Sequence, residues 1–541
     1  MTIASYALHP GRTLAMGTAG MVATGHALAT AAGLRVLMEG GNAVDAALTA
    51  AAVTWVTMPM MCGPGGDAFI LIHEARTGRV TAIGGSGPVG ARATVDYLRS
   101  LGYRKFMPTE GPLSVAVPGA VAAFEEAMRR FGTRGWEEIL APAIRYAEEG
   151  HPVHQVTATH FAEYREKLAR YPETAAIYLP GGRPPRPGEI LRQPDLGRSL
   201  RILARKGAEA FYRGELAAAI ARVTEREGLF GAEDLARYWC DVYEPLRIRY
   251  REYEIFQFRP PSQGMIHLQA MKIAEGYDLR GMGPTAQAHH LLIEAKKLAV
   301  RDRLRYAGDP NFVDVPLDWL LSDEHAAELR REIDPDRARP TPNPYADGDT
   351  TYLCVVDRDG NAVSLIHSLS NAFGSGVVAP GTGILLNNRA GRGFVIDPDH
   401  PNGIAPGKRT MHTLNAYLVH RDGRLHLVGG TPGGDGQPQW NLQVLVALLD
   451  WGLDPQQAVE MPRWTHGPST DPALADRPEA LLLEDRFPPE VVAGLRDRGH
   501  PVQVIGPWAS GGSAQVIRVN WEQGVLEGGS DPRDDGFAMG F

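Results

Sequence analysis

The sequence predicts an α+β fold in which a helix-rich N-terminal part precedes a sheet-rich C-terminal part. Three observations predict it. Alanine-rich and amphipathic segments of helical length dominate the first three hundred residues or so. A polar stretch with four prolines, "DPDRARPTPNPYADGD" (334–349), has no apolar periodicity and reads as a mobile loop or linker. From Thr350 onward, short β-rich runs alternate with tight glycine turns.

The elements follow in order. "GHALATAAGLRVLMEGGNAVDAALTAAAVTWV" reads as two helices broken at Gly40–Gly41. Asn42 is placed to cap the second, with Asp45 near its first-turn amides. A glycine-rich turn in "MCGPGGDAFILIHE" then feeds an alternating strand, Ala68 to His73. "GAVAAFEEAMRRFG", "WEEILAPAIRYAEEG" and "AQAHHLLIEAKKLAVRDRLRYA" are helical. Past the linker, "DRDGN" and "HRDGR" each place Asp-Gly between β-rich runs, the signature of a hairpin. The chain divides into residues 1–349, which end in the linker 334–349, and residues 350–541.

Composition narrows the function. The 541 residues are 44% apolar and 22% charged, as in an ordinary soluble globular protein. The formal charge of −8 gives no global basic field for nucleic acid. Cys62, Cys240 and Cys354 are widely spaced and suggest no disulfide framework. The opening residues "MTIASYALHPGRTLAMGTAG" lack the pattern of a secretory signal, and no apolar run of about 18 residues occurs. The expectation is a cytoplasmic enzyme without a membrane or nucleic-acid partner. No metal set stands out, since His289 and His290 are helix neighbours that do not share a face. The glycine clusters lack the lysine of a phosphate loop, so no cofactor is expected.

The chemistry gathers at "DGDTTYLCVV". A threonine hydroxyl is a weak nucleophile unless a base lies within hydrogen-bond reach. An N-terminal threonine carries its own base, an α-amino group with a reference pKa of about 7.7–8.0. Cutting the Asp349–Thr350 bond would create that amine, and an N→O acyl shift through the same hydroxyl can do the cutting. The bland alternative is that two threonines open a strand because threonine favours strands.

"DTTYLCVVDRDGNAVSL", "NAFGSGVVAPGTGILLNN", "APGKRTMHTLN" and "GGTPGGDGQPQ" together resemble the small subunit of γ-glutamyltranspeptidase-like enzymes. "GMVATGHALATAAGLRVLMEGGNAVDAALTAAAVTWVTMPMMCGPGGDAFILI" is similar to the start of their large subunit. The resemblance runs from about Gly20 to the end. It implies an N-terminal-nucleophile (Ntn) hydrolase with a four-layer αββα sandwich, formed jointly by the two fragments of a self-cleaved proenzyme. By position, Thr350 matches the nucleophile and Thr351 its hydrogen-bonding neighbour. Ser368 matches a hydroxyl residue, usually threonine, that tunes the nucleophile. Gly433 and Gly434 match the pair whose amides form the oxyanion hole. The implied assembly is a heterodimer of fragments, with a dimer of heterodimers as the next level.

The glutamyl signature is altered. Where the family holds the substrate ammonium with Gln or Glu and then Asp, this chain has Arg389 and Arg392. Where it holds the carboxylate with two serines, this chain has His412 and Thr413. The family's carboxylate-binding arginine falls at Thr94 in ungapped register, with Arg92 two residues away. Two acceptors for a cation have become two cations, which favours a carboxylate over an ammonium. Solvated loop charges for the arginines, and a packed core residue for His412, are the competing readings. Asp435, Gln437 and Gln439 either line the pocket or cap the helix near Trp440. "HTLN" and "GGDGQPQ" resemble the oxamate amidohydrolase branch, with cephalosporin acylases as further relatives. The expected activity is hydrolysis of a small amide through an acyl-threonine. The alternatives are a γ-glutamyltransferase or glutathione hydrolase with a remodelled site, and an inactive binding protein on the same scaffold.

Overall fold

A computed structural model describes residues 11–340, 349–467 and 478–541. Two seven-stranded antiparallel sheets form its centre. The first runs Phe537–Gly540, Gly20–Thr24, Asp349–Asp357, Ala362–Ser370, Asp67–Glu74, Arg79–Gly85, Asp241–Tyr243. The second runs Ala15–Gly17, Val525–Ser530, Gln515–Asn520, Arg424–Gly430, Ala416–Arg421, Tyr253–Gln257, Leu246–Tyr250. Each sheet therefore takes strands from both sides of Thr350.

Period-two alternation assigns the faces. Tyr352, Cys354 and Val356 point between the sheets, where they join Phe69, Leu71, Ile366, Leu418, Val428 and Ile517. Leu353 and Val355 point the other way, into a helical layer with Val22, Val363 and Leu365. That layer holds the helices Ala27–Met38, Ala43–Thr57, Ala120–Phe131 and Trp136–Glu149. On the outer face of the second sheet lie Gly264–Glu275, Ala286–Tyr306 and Gln437–Leu449. The result is a four-layer αββα sandwich. Sheets covered on both faces explain why "TYLCVV" and "AVSLIHSL" are almost continuously apolar.

The local signals behave as their chemistry requires. Asn42 Oδ1 accepts from the amides of Val44 and Asp45, and the Asp45 carboxylate accepts from the Asn42 amide, closing a reciprocal cap. The strand read as Ala68–His73 extends over Asp67–Glu74. Both Asp-Gly hairpins form, closing Asp349–Asp357 onto Ala362–Ser370 and Ala416–Arg421 onto Arg424–Gly430. All three cysteines are buried and free. Among the described residues no helix is long and apolar enough to cross a membrane.

The proximal part of the proline-rich stretch is fastened, contrary to the reading of a loose linker. Ala338 donates to the Arg498 carbonyl at 2.7 Å, and Lys297 Nζ donates to that of Arg339 at 2.7 Å. Residues 341–348 of that stretch lie outside the described residues.

Asp357 ties the first hairpin to the helical layer. Its carboxylate accepts from the Ala43 amide at 3.0 Å and from the amides of Asp359 and Asn361. Asp357→Ala leaves these donors unmet, including the first amide of the helix Ala43–Thr57. It is expected to cost about 2–3 kcal/mol, read as a shift in the urea-unfolding midpoint.

Candidate active site

Thr350 sits where the register of its strand breaks. Asp349 pairs with Ser370 and Thr351 with His367, so two steps on one strand oppose three on the other. The extra residue bulges opposite Thr350. Ser370 takes φ +90°, costly for a residue with a Cβ. The bulge turns the Thr350 hydroxyl onto Ser368, and Oγ1 donates to Ser368 Oγ at 3.1 Å. Ser368 Oγ also accepts from the Ser370 amide at 2.8 Å, which fixes its lone pairs. Thr351 points elsewhere, with Oγ1 3.7 Å from Met58 Sδ. Both threonines are buried.

Ser368 lies opposite Asp67 in the neighbouring strand. Asp67 is fully buried, and its Oδ2 accepts from Arg389 Nε at 3.0 Å and from His412 Nε2 at 2.9 Å. The His412 proton is assigned by its other nitrogen: the Leu414 amide donates to Nδ1 at 3.3 Å, so the hydrogen is on Nε2. Burial, reinforced by the Arg389 charge, lowers the His412 pKa to about 4 against the pull of Asp67. His412 is thus a neutral donor at pH 7. Burial also lowers the Arg389 pKa to about 10, and Asp67 opposes the shift, so the guanidinium stays charged. Arg389 Nη1 lies 3.4 Å from Thr413 Oγ1, while Nη2 has no hydrogen-bond partner among the described residues.

The glycine turn is held from below. Gly433 and Gly434 take φ +111° and +51°. A Cβ on Gly433 would sit 2.2 Å from the Trp440 ring, so conformation and space both demand glycine there. Gln263 Nε2 donates to the Gly434 carbonyl at 3.0 Å and to that of Thr413 at 2.6 Å. Arg303 Nη1 donates to Gln263 Oε1 at 2.7 Å and pairs with Asp435 at 2.8 Å. Arg392 lies 3.8 Å from the other Asp435 oxygen. Across the sandwich, a Cβ on Gly430 would touch the Tyr352 ring, so the strand leading into this turn packs onto the strand Asp349–Asp357 that carries Thr350.

Thr350 thus bonds Ser368, which stands across the sheet from Asp67, and from Asp67 a hydrogen-bonded and ion-paired layer runs through Arg389, His412, Thr413 and Gln263 to Gly434. Three guanidiniums (Arg303, Arg389, Arg392) face two buried carboxylates (Asp67, Asp435) in this layer. The arginines are neither solvated nor free, because each has a buried aspartate. His412 is both a packed core histidine and a member of this layer. Arg92 is held elsewhere, donating to the Thr224 carbonyl at 2.7 Å. Gln437 and Gln439 bond the backbone of Asn415 and His466, positions that support the turn.

Sequence reasoning missed Asp67, Gln263 and Arg303. Asp67 had a signal, an acid at the head of an otherwise apolar strand. Gln263, in "PPSQG", and Arg303, one of several arginines on its helix, had none.

Two sheets between helical layers, with a strand-leading threonine at a bulge, define the Ntn-hydrolase class of fold. A profile of the family described as Gamma-glutamyltranspeptidase matches residues 29–541. This chain belongs to that family, whose members are hydrolytic or transferase enzymes. It is 38% identical over 534 residues to the glutathione hydrolase-like YwrD proenzyme of Bacillus subtilis (strain 168), covering 97% of this chain and 99% of that one. It is 36% identical over 540 residues to the oxamate amidohydrolase proenzyme of Klebsiella pneumoniae, covering 97% and 99%. The crystal structure of cephalosporin acylase from Bacillus halodurans superposes with a TM-score of 0.92 at 37% identity, covering 99% of this chain and 98% of that one.

The state of His412 has a consequence for pH. Its imidazole titrates near 6.5 when unfolded and near 4 when folded, so the unfolded chain binds the extra proton between these values. The stability this contributes is complete above about pH 6.5 and is lost as pH falls toward 4. His412→Gln carries an N–H near the position of Nε2 and so keeps a donor for Asp67, but removes the titration. Urea unfolding across that window is expected to lose a slope of about 1.4 kcal/mol per pH unit; an unchanged slope would contradict a neutral His412.

Proposed function

We propose that this chain is a self-processing amidohydrolase. It cuts itself between Asp349 and Thr350, then hydrolyses a small amide whose acyl part carries a carboxylate, oxamate being the simplest example. In the first step Thr350 Oγ1 attacks the Asp349 carbonyl, the C–N bond breaks, and water hydrolyses the resulting ester. This frees the Thr350 amine. In turnover that amine takes the hydroxyl proton as Oγ1 attacks the substrate carbonyl, and the protonated leaving group departs as an amine or ammonia. Water then resolves the acyl-threonine. The amides of Gly433 and Gly434 hold the oxyanion, a role in which a single donor is worth about 10²–10³ in rate.

The observation that carries the substrate reading is Arg389 Nη2, a buried guanidinium nitrogen without a hydrogen-bond partner among the described residues. A carboxylate next to the scissile carbonyl would satisfy it. The relatives named oxamate amidohydrolase and cephalosporin acylase support an acyl-transfer site without a glutamyl requirement. Against a γ-glutamyl substrate stands the guanidinium beside each of Asp67 and Asp435, which sets positive charge next to both acceptors. The first-named relative keeps that reading open to test, and turnover of a γ-glutamyl anilide in preference to oxamate would establish it.

Thr350→Ala should give one uncut band on a denaturing gel and no turnover, whereas Thr350→Ser should be cut. Two fragments from the alanine variant would refute the mechanism. Arg389→Lys keeps the charge but loses the fork. It is expected to raise KM for oxamate by roughly 10- to 150-fold, the equivalent of about 1.5–3 kcal/mol. KM for an uncharged amide should move little. Equal effects on both substrates would rule out Arg389 as the carboxylate ligand.

A further inference from the structure

The helix Ala286–Tyr306 places His290 and Glu294 one turn apart on the same face. His500 meets them from the segment between the helix Pro489–Asp497 and the strand Val502–Ile505. All three are buried, and their donor atoms lie within 4.8 Å of one another. The ring nitrogens His290 Nδ1 and His500 Nε2 are 2.8 Å apart. His290 Nε2 is 2.8 Å from the Asp334 carbonyl, which can only accept. The His290 proton is therefore on Nε2, and a lone pair on Nδ1 faces His500. A histidine oriented by a carbonyl on its far nitrogen is how proteins present a metal ligand.

We propose that His290, Glu294 and His500 bind a divalent transition cation of the zinc class. Two imidazoles and a carboxylate suit zinc, nickel or copper better than magnesium or calcium, and leave a fourth position for water. His500 Nε2 donates to the His290 Nδ1 lone pair, and its proton would move to Nδ1 of His500, which has no partner among the described residues, when a cation takes its place. To hold a cation at about 2.0–2.1 Å each, the two nitrogens must part by roughly half an ångström. The local cations are accommodated. Lys297 pairs with Glu294 at 2.8 Å but also with the Arg339 carbonyl and with Glu479 at 3.3 Å, so it keeps partners when Glu294 turns to a metal. Arg498 is occupied by Gln287 and the Gly494 carbonyl.

The location gives the site a use. The Arg339 amide lies 3.3 Å from Glu294, so the triad sits under the stretch 334–339. A bound cation would fasten the stem of the segment leading to Asp349–Thr350. If the chain is cut there, it would also join His290 and Glu294 on one fragment to His500 on the other; only this last consequence rests on the proposed cleavage.

The test uses the full-length protein, stripped with chelator and titrated with Co²⁺ in the visible range and with Zn²⁺ by calorimetry. One saturable equivalent with the intense bands of low-coordinate Co²⁺ is expected. The isosteric Glu294→Gln, and independently His500→Gln, should weaken it by about 100-fold or more. His154→Gln should leave it unchanged; His154 belongs to a separate pair with His26, ring centroids 4.2 Å apart. Absence of a saturable equivalent in the wild type overturns the proposal. So does uptake that survives Glu294→Gln, which decides the matter alone if His500→Gln does not fold.

Discussion

A carboxylate with no access to water must find its counter-charge within the protein, and Asp67 sets the arrangement of everything around it. It stands across from Ser368, and so one step from Thr350. Arg389, at the start of the short helix Arg389–Gly393, and His412, from a separate loop, are drawn to it. His412 in turn fixes the backbone beside Gln263, whose amide the His412 carbonyl accepts at 2.8 Å. Gln263 then grips the turn at Gly434. A neutral group at position 67 would leave Arg389 without compensation and His412 without an acceptor. Arg389, in place of an acceptor of the glutamyl signature, is intelligible only together with this aspartate.

The helices, hairpins and cap were legible because their causes are local. Asn42 with Asp45 makes a reciprocal cap within four residues, and Asp-Gly demands a tight turn wherever it occurs. The layered sandwich was legible only through resemblance, since no local rule says that Phe537–Gly540 pairs with Gly20–Thr24 across the length of the chain. At the site, the residue types were readable but their charge state was not. Arg389 and Arg392 looked like free cations because the sequence does not reveal that Asp67 and Asp435 lie beside them. Arg303 was hidden among the arginines of an amphipathic helix. The proline-rich stretch looked loose because its anchors, Glu294, Lys297 and Arg498, come from distant helices.

Strain and support are distributed in a consistent way. The bulge and the positive φ of Ser370 cost free energy at the strand that carries Thr350. The left-handed turn at Gly433 and Gly434 is confined by the Trp440 ring. Both are held by buried polar networks with little freedom to relax. Such a layer places groups accurately and tolerates little substitution, because each removed partner strands another inside the protein.

The interleaving of the two sheets reaches beyond architecture. A break at Asp349–Thr350 would leave two polypeptides whose strands alternate within both sheets. Neither piece could withdraw without tearing three ladders in one sheet and two in the other. Assembly would then be an event the molecule undergoes once, as a single chain. After denaturation the pieces would have to meet by diffusion, and recovery would depend on their concentration. The native form would persist because its history cannot easily be repeated.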